Sequence, residues 1–122
     1  DVTYNASPNS LKAAIDVLMF FPEKKILVVG DMKELGTEAE DSHRQVGAYA
    51  ADAGVEDLWA VGELSKHTAE GFGPNSKSFD SMQELISACK AVANNDVGVL
   101  VKGSRGAHME DVVRELTVGG GD

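Results

Sequence analysis

The chain has 122 residues, enough for one domain with a single core, and 43% hydrophobic with 25% charged residues is the composition of an ordinary globular domain. A formal net charge of −9 disfavours binding to nucleic acid or to an anionic membrane through overall electrostatics, although a local basic loop can still meet an anion. No run approaches the roughly 18 apolar residues of a membrane span, and the single cysteine, Cys89, has no internal disulfide partner, so the expected compartment is the reducing cytoplasm.

Val2 to Tyr4 reads as an opening strand. Ser7 is a good N-cap and Pro8 suits the first helical position, so a helix is predicted from there, with Leu11, Ala14, Ile15, Leu18 and Met19 as its apolar stripe and Phe20-Phe21-Pro22 as its end. Lys25 to Val29 is a buried strand closed by Gly30-Asp31-Met32. Thr37 and Glu40 form a capping-box pattern for a helix to about Ala53, with Gly54 as its stop. Asp57 to Val61 is a further strand, Ser65 to Glu70 a short helix, and Gly71-Phe72-Gly73-Pro74-Asn75 a loop. Lys77 to Phe79 is a short strand, and Ser81 with Glu84 opens a helix to about Ala93 whose apolar face holds Met82, Leu85, Ile86, Cys89 and Val92. Cys89 is read as a core residue.

Val97 to Val101 is another buried strand, followed at once by Lys102-Gly103-Ser104-Arg105-Gly106 and by a helix with Met109, Val112, Val113 and Leu116 on one face. The loop carries two cations and a hydroxyl among small residues, so it can receive an anion, with Lys as a point charge and Arg as a planar fork; a plain turn with solvated charges is the alternative. Alternating strands and helices imply βαβ units: an α/β, Rossmann-like three-layer sandwich, with a mainly parallel sheet of about five to six strands and helices on both faces. The domain is expected over 1–117, with 118–122 a flexible Gly-rich tail.

Chemistry-bearing residues gather at the strand ends. Asp31 can accept from a ligand amine or cap its own turn, and both stay open. His43 shares a helical face with Ala39, Val46 and Ala50, the setting of a packed, hydrogen-bonded core histidine. His67 and His108 fit no metal-ligand spacing with Cys89 or with each other, so no metal site is expected. Glu38, Glu40 and Asp41 suit the positive end of the second long helix. There is no G-x-G-x-x-G fingerprint after a strand and no G-x-x-x-x-G-K-[ST] phosphate loop, so this chain is not expected to build an ATP or NAD site alone.

Tyr4-Asn5-Ala6-Ser7-Pro8, Gly30-Asp31-Met32-Lys33-Glu34-Leu35-Gly36, His43-Arg44-Gln45-Val46-Gly47 and Val101-Lys102-Gly103-Ser104-Arg105-Gly106, in this order, resemble the C-terminal domain of the D-alanyl-D-alanine-adding Mur ligases. The resemblance implies an enzyme that joins D-alanyl-D-alanine to a UDP-linked muramoyl tripeptide, using ATP and Mg2+, through an acyl phosphate. It also implies that this domain works with the N-terminal and central domains of the same enzyme. The central domain would supply the phosphate loop and the magnesium ligands, so no catalytic residue and no metal ligand is expected here. By the same resemblance Asp1, Tyr4, Asn5 and Ser7 would face the nucleotide, while Asp31, Lys102, Gly103, Ser104 and Arg105 would face the substrates. Asp1 is followed by Val2 where the family shows paired acidic residues or Asn-Asp, and Ser7 replaces the more usual Asn. Two readings of other classes remain: a phosphorylation receiver, suggested by Asp31 and Lys102 but lacking the acidic pair after its first strand, and a non-catalytic ligand-binding module of the same fold.

Overall fold

The computed structural model describes residues 7–22, 24–92 and 97–102. The opening strand at Val2 to Tyr4, the helix through Met109 to Leu116 and the glycine tail lie outside the described residues. Helix α1 (Pro8–Leu18) starts as the sequence predicts. The Ser7 hydroxyl accepts from the Ser10 backbone N–H at 3.1 Å, and the Ser10 hydroxyl accepts from the Ser7 N–H at 2.8 Å, a reciprocal box that satisfies two donors at the helix start.

Strand β1 (Lys24–Val29) leads to helix α2 (Ala39–Ala53), strand β2 (Asp57–Val61), helix α3 (Ser65–Phe72), strand β3 (Ser76–Phe79), helix α4 (Met82–Val92) and strand β4 (Val97–Lys102). The four strands form one parallel sheet in the order β3-β2-β1-β4. Alternate residues of β1 serve opposite faces, because successive strand side chains point to opposite sides. Leu27 and Val29, with Leu58 and Ala60 of β2, pack against Leu11, Ile15 and Leu18 of α1, Val46 and Ala50 of α2, and Ala69 and Phe72 of α3. Ile26 and Val28 pack on the other side with Leu85 and Cys89 of α4, flanked by Trp59 and Phe79 in an edge-to-face contact at 5.7 Å. The expected three-layer arrangement is therefore present, with four strands among the described residues against the five to six expected for the whole chain.

Two local expectations are corrected. Thr37 does not cap α2: Gly36–Glu38 is a 3-10 turn leading directly into the helix, and no side-chain cap is made at Glu38. An N-cap residue needs extended backbone, and Thr37 already lies inside the spiral. Helix α3 also runs past Glu70 through Gly71 and Phe72, because Phe72 is buried against the sheet. Ser81 does cap α4, its hydroxyl accepting from the Glu84 N–H at 3.2 Å, and Gly54 ends α2 in left-handed backbone at φ 105°.

Helices α2 and α3 meet backbone to backbone. A Cβ on Gly47 would strike the Thr68 carbonyl oxygen, and one on Gly71 would strike the Arg44 carbonyl oxygen. Each glycine is thus the allowance that lets the other helix approach. Gly47→Ala is expected to lower stability by about 3 kcal/mol, since the clash is with backbone that cannot rotate away; an unchanged urea midpoint would show that the helices can separate freely. Cys89 is buried as expected, and burial pushes its thiol up to about 11. Its labelling by a disulfide reagent at pH 8 should be more than about 100-fold slower in the folded chain than in urea.

Candidate functional site

Following the sheet order outward from β1 places the site. The chain steps from β1 to β2 to β3 in one direction, then returns over the opposite face to lay β4 on the far edge of β1. Right-handed crossovers running in opposite directions put their helices on opposite faces, as α2 and α3 against α4 show. In open parallel sheets the crevice outside the carboxyl ends of strands, where the order reverses, is where ligands bind. Here that crevice lies between the ends of β1 and β4. Val29 and Lys102, the last residues of the two strands, are register partners, so the loop carrying Asp31 starts beside Lys102.

The loop from Asp31 to Gly36 lines an open hollow of about 320 Å³, together with Ala39 of α2 and Leu64. Its path is unusual for non-glycine residues. Glu34 has φ 63°, the left-handed region that side chains rarely adopt, and Gly36 repeats that value. Lys33 and Glu34 are exposed, whereas Met32 is buried in the core and ties the loop's middle to the packed layer.

Asp31 is held from two sides. Its Oδ1 accepts from the Ser65 backbone N–H at 2.7 Å and from the Ser65 hydroxyl at 2.8 Å. Helix α3 has Leu64 at its N-cap position with no side-chain cap of its own, so a carboxylate from the neighbouring loop satisfies an orphan N–H at the positive helix end. Gly62 lies so close beneath that a Cβ there would meet the Asp31 carboxylate. Neither open reading of Asp31 included this bond, in which the carboxylate caps a different helix. The signal was present in the sequence: a helix beginning at Ser65 behind a leucine needs a cap from elsewhere.

His43 is buried within α2 as expected, and its bonds reach the same loop. Its Nε2 accepts from the Met32 backbone N–H at 3.0 Å, and its Nδ1 lies 2.6 Å from the Ala39 carbonyl oxygen. On the outer surface Arg44 bridges Asp41 at 2.9 Å and Glu70 at 3.3 Å, so the acidic start of α2 is also ion-paired. The His67 imidazole and Arg44 together lower the Glu70 carboxyl below its ordinary value. Among the described residues no three His, Cys, Asp or Glu side chains converge as a metal site would require.

Of the residues singled out in the sequence, Lys102 is the register partner of Val29, two residues before Asp31, and the Asp31 carboxylate turns to Ser65. Ser7 stands at the start of α1, its hydroxyl engaged in the capping box. Asp1, Tyr4, Asn5, Gly103, Ser104 and Arg105 lie outside the described residues.

The arrangement defines a parallel α/β domain whose strand order reverses between β1 and β4, and comparison with known proteins gives its family. Residues 2–105 match the Mur ligase, glutamate ligase domain family, and the chain belongs to it. It is 43% identical over 98% of its length to the UDP-N-acetylmuramoyl-tripeptide--D-alanyl-D-alanine ligase of Escherichia coli, covering 27% of that protein. The Bacillus subtilis ligase of the same name is 36% identical over 93% of the chain, which covers 26% of that protein. Among solved structures, a MurF of Acinetobacter baumannii superposes with a TM-score of 0.82 at 32% identity over 95% of this chain and 26% of its own. The MurF ligase of Thermotoga maritima, in complex with ADP, gives 0.79 at 28% identity over 96% of this chain and 27% of its own. The chain spans about a quarter of the length of the curated relatives it matches, and its family sets the receiver reading aside.

Asp31→Ala should destabilise the domain by about 1–2 kcal/mol through loss of the α3 cap, with Asp31→Asn, which keeps an acceptor oxygen, losing less in urea unfolding. Equal stability of the alanine variant and the parent would show that Ser65 finds another acceptor.

Proposed function

We propose that this chain is the C-terminal domain of a cytoplasmic, ATP-dependent ligase that adds D-alanyl-D-alanine to UDP-N-acetylmuramoyl-tripeptide. The observation that carries the reading is the match to ligases of that name over nearly the whole chain, 98% of it in the Escherichia coli case. In this chemistry the tripeptide carboxylate attacks the γ-phosphorus of ATP and ADP leaves; the dipeptide amine then attacks the acyl phosphate and inorganic phosphate leaves. The N-terminal and central domains of the same enzyme are the partners, and the central domain holds most of the ATP contacts and the Mg2+ ion that neutralises phosphate charge. The sequence carries no G-x-x-x-x-G-K-[ST] phosphate loop of its own, which fits that division.

This domain's share is to close over the central domain and complete the site, shielding the acyl phosphate from water. Asp1, Tyr4, Asn5 and Ser7 form its nucleotide side. Asp31, Lys102, Gly103, Ser104 and Arg105 form its substrate side, where Lys102 and Arg105 stabilise anionic groups of the substrates, Asp31 accepts from the incoming ammonium, and Gly103 and Ser104 allow close backbone approach. The β1/β4 crevice supports this reading, because it gathers the Asp31 loop and Lys102 at one rim. Asp31 would then both cap α3 and meet the acceptor, through different oxygens.

The test is ligation with ATP, UDP-muramoyl tripeptide and D-alanyl-D-alanine, comparing this chain alone, a ligase lacking it, and the two joined in one polypeptide. Product is expected only from the joined protein. Within it, Lys102→Ala or Arg105→Ala should each lower kcat/KM about 10- to 100-fold, the loss of one charge-assisted hydrogen bond, with the unfolding midpoint preserved. A joined protein that folds and makes no product would favour the non-catalytic module; unchanged kinetics in both variants would remove the loop from the mechanism.

A further inference from the structure

The ring of His43 has two nitrogens and both are committed. Met32 N–H can only donate, so Nε2, 3.0 Å away, is the unprotonated acceptor. The Ala39 carbonyl oxygen can only accept, so Nδ1 carries the proton and donates across 2.6 Å. The imidazole is therefore neutral in a single tautomer, and its side chain has no solvent exposure. Its donor, Met32, is the residue immediately after Asp31, and Glu34 two residues further on is in left-handed backbone. A strained loop holds its shape only where its surroundings over-determine it. Core packing alone would use an apolar side chain here, since an unpartnered imidazole is costly to bury.

We propose that His43 is a positioning residue for the acceptor side of the crevice: through Met32 N–H it sets the path of the Gly30–Gly36 loop and so the place of Asp31. The inference rests on the functional reading above for what the loop contacts, and on geometry alone for what His43 holds. His43 does not touch the substrates. It acts from beneath, while Ser65 fixes the Asp31 carboxylate from the side.

The test separates the two levels. In the full 122-residue chain, long-range proton–nitrogen NMR of the His43 ring is expected to show Nδ1 protonated and Nε2 bare at neutral pH. Amide exchange at residues 31–36 should speed up at least about tenfold in His43→Phe, the equivalent of one lost hydrogen bond, while Ile26–Val29 keep their protection. His43→Gln, whose amide can both accept from Met32 and donate to Ala39, should restore most of the slow exchange. In the joined ligase, His43→Phe should raise KM for D-alanyl-D-alanine about tenfold, leave KM for ATP within about twofold, and be partly rescued by Gln. A ring protonated on Nε2, a Phe variant with parental loop exchange, or a Gln variant no better than Phe would each overturn the proposal. A parent ligase that makes no product would overturn the functional reading instead, and the ring and exchange data would decide the role of His43 by themselves.

Discussion

Strand β1 is the constraint from which the rest of the architecture follows. Both of its edges are hydrogen-bonded, to β2 on one side and β4 on the other, and both faces are covered, so Ile26, Leu27, Val28 and Val29 are all essentially without solvent contact. Burying such side chains stabilises by about 1.5–3 kcal/mol each, which leaves little room for polar chemistry within the strand. Variation is possible only where the strand ends. The chain emerges there at Gly30, between two neighbouring strand ends, into a loop that combines left-handed backbone at Glu34 with exposed charges.

That loop is shaped by the helices on the same side of the sheet. Ser65 at the head of α3 receives Asp31, and His43 in the first half of α2 receives Met32. Gly47 and Gly71 bring the two helices into backbone contact, so the anchors share one packed layer. A site held by groups whose own positions are fixed by packing keeps its geometry between turnovers. Such support matters for a domain whose proposed task is to close over a second one, because its rim must arrive already formed.

Much of this fold was readable from neighbours along the chain. The apolar run at Lys25 to Val29, the Ser7-Pro8 start of α1 and the Gly54 stop of α2 all express preferences of residues within a turn or two of each other. The Thr37 and Glu40 pattern was equally local and failed, since the left-handed residues at 34 and 36 send the chain into a 3-10 turn one step too early for Thr37 to cap. Phe72 extended α3 through Gly71 because the sheet offered it burial, which no propensity scale contains.

Taken alone, the order of motifs and the periods of 2 and 3.6 determined the element types, the parallel α/β class and the family resemblance, because each depends on spacing along the chain. Only the tertiary structure decided that β4 returns to the edge of β1, that α4 covers the opposite face, and that Asp31 caps a helix beginning 34 residues later. The reason is physical: strand order, crossover side and cross-element hydrogen bonds depend on which elements become neighbours in space. Asp31 and Ser65 have the same chemistry in any sequence, and they become one site because β1 and β2 lie side by side.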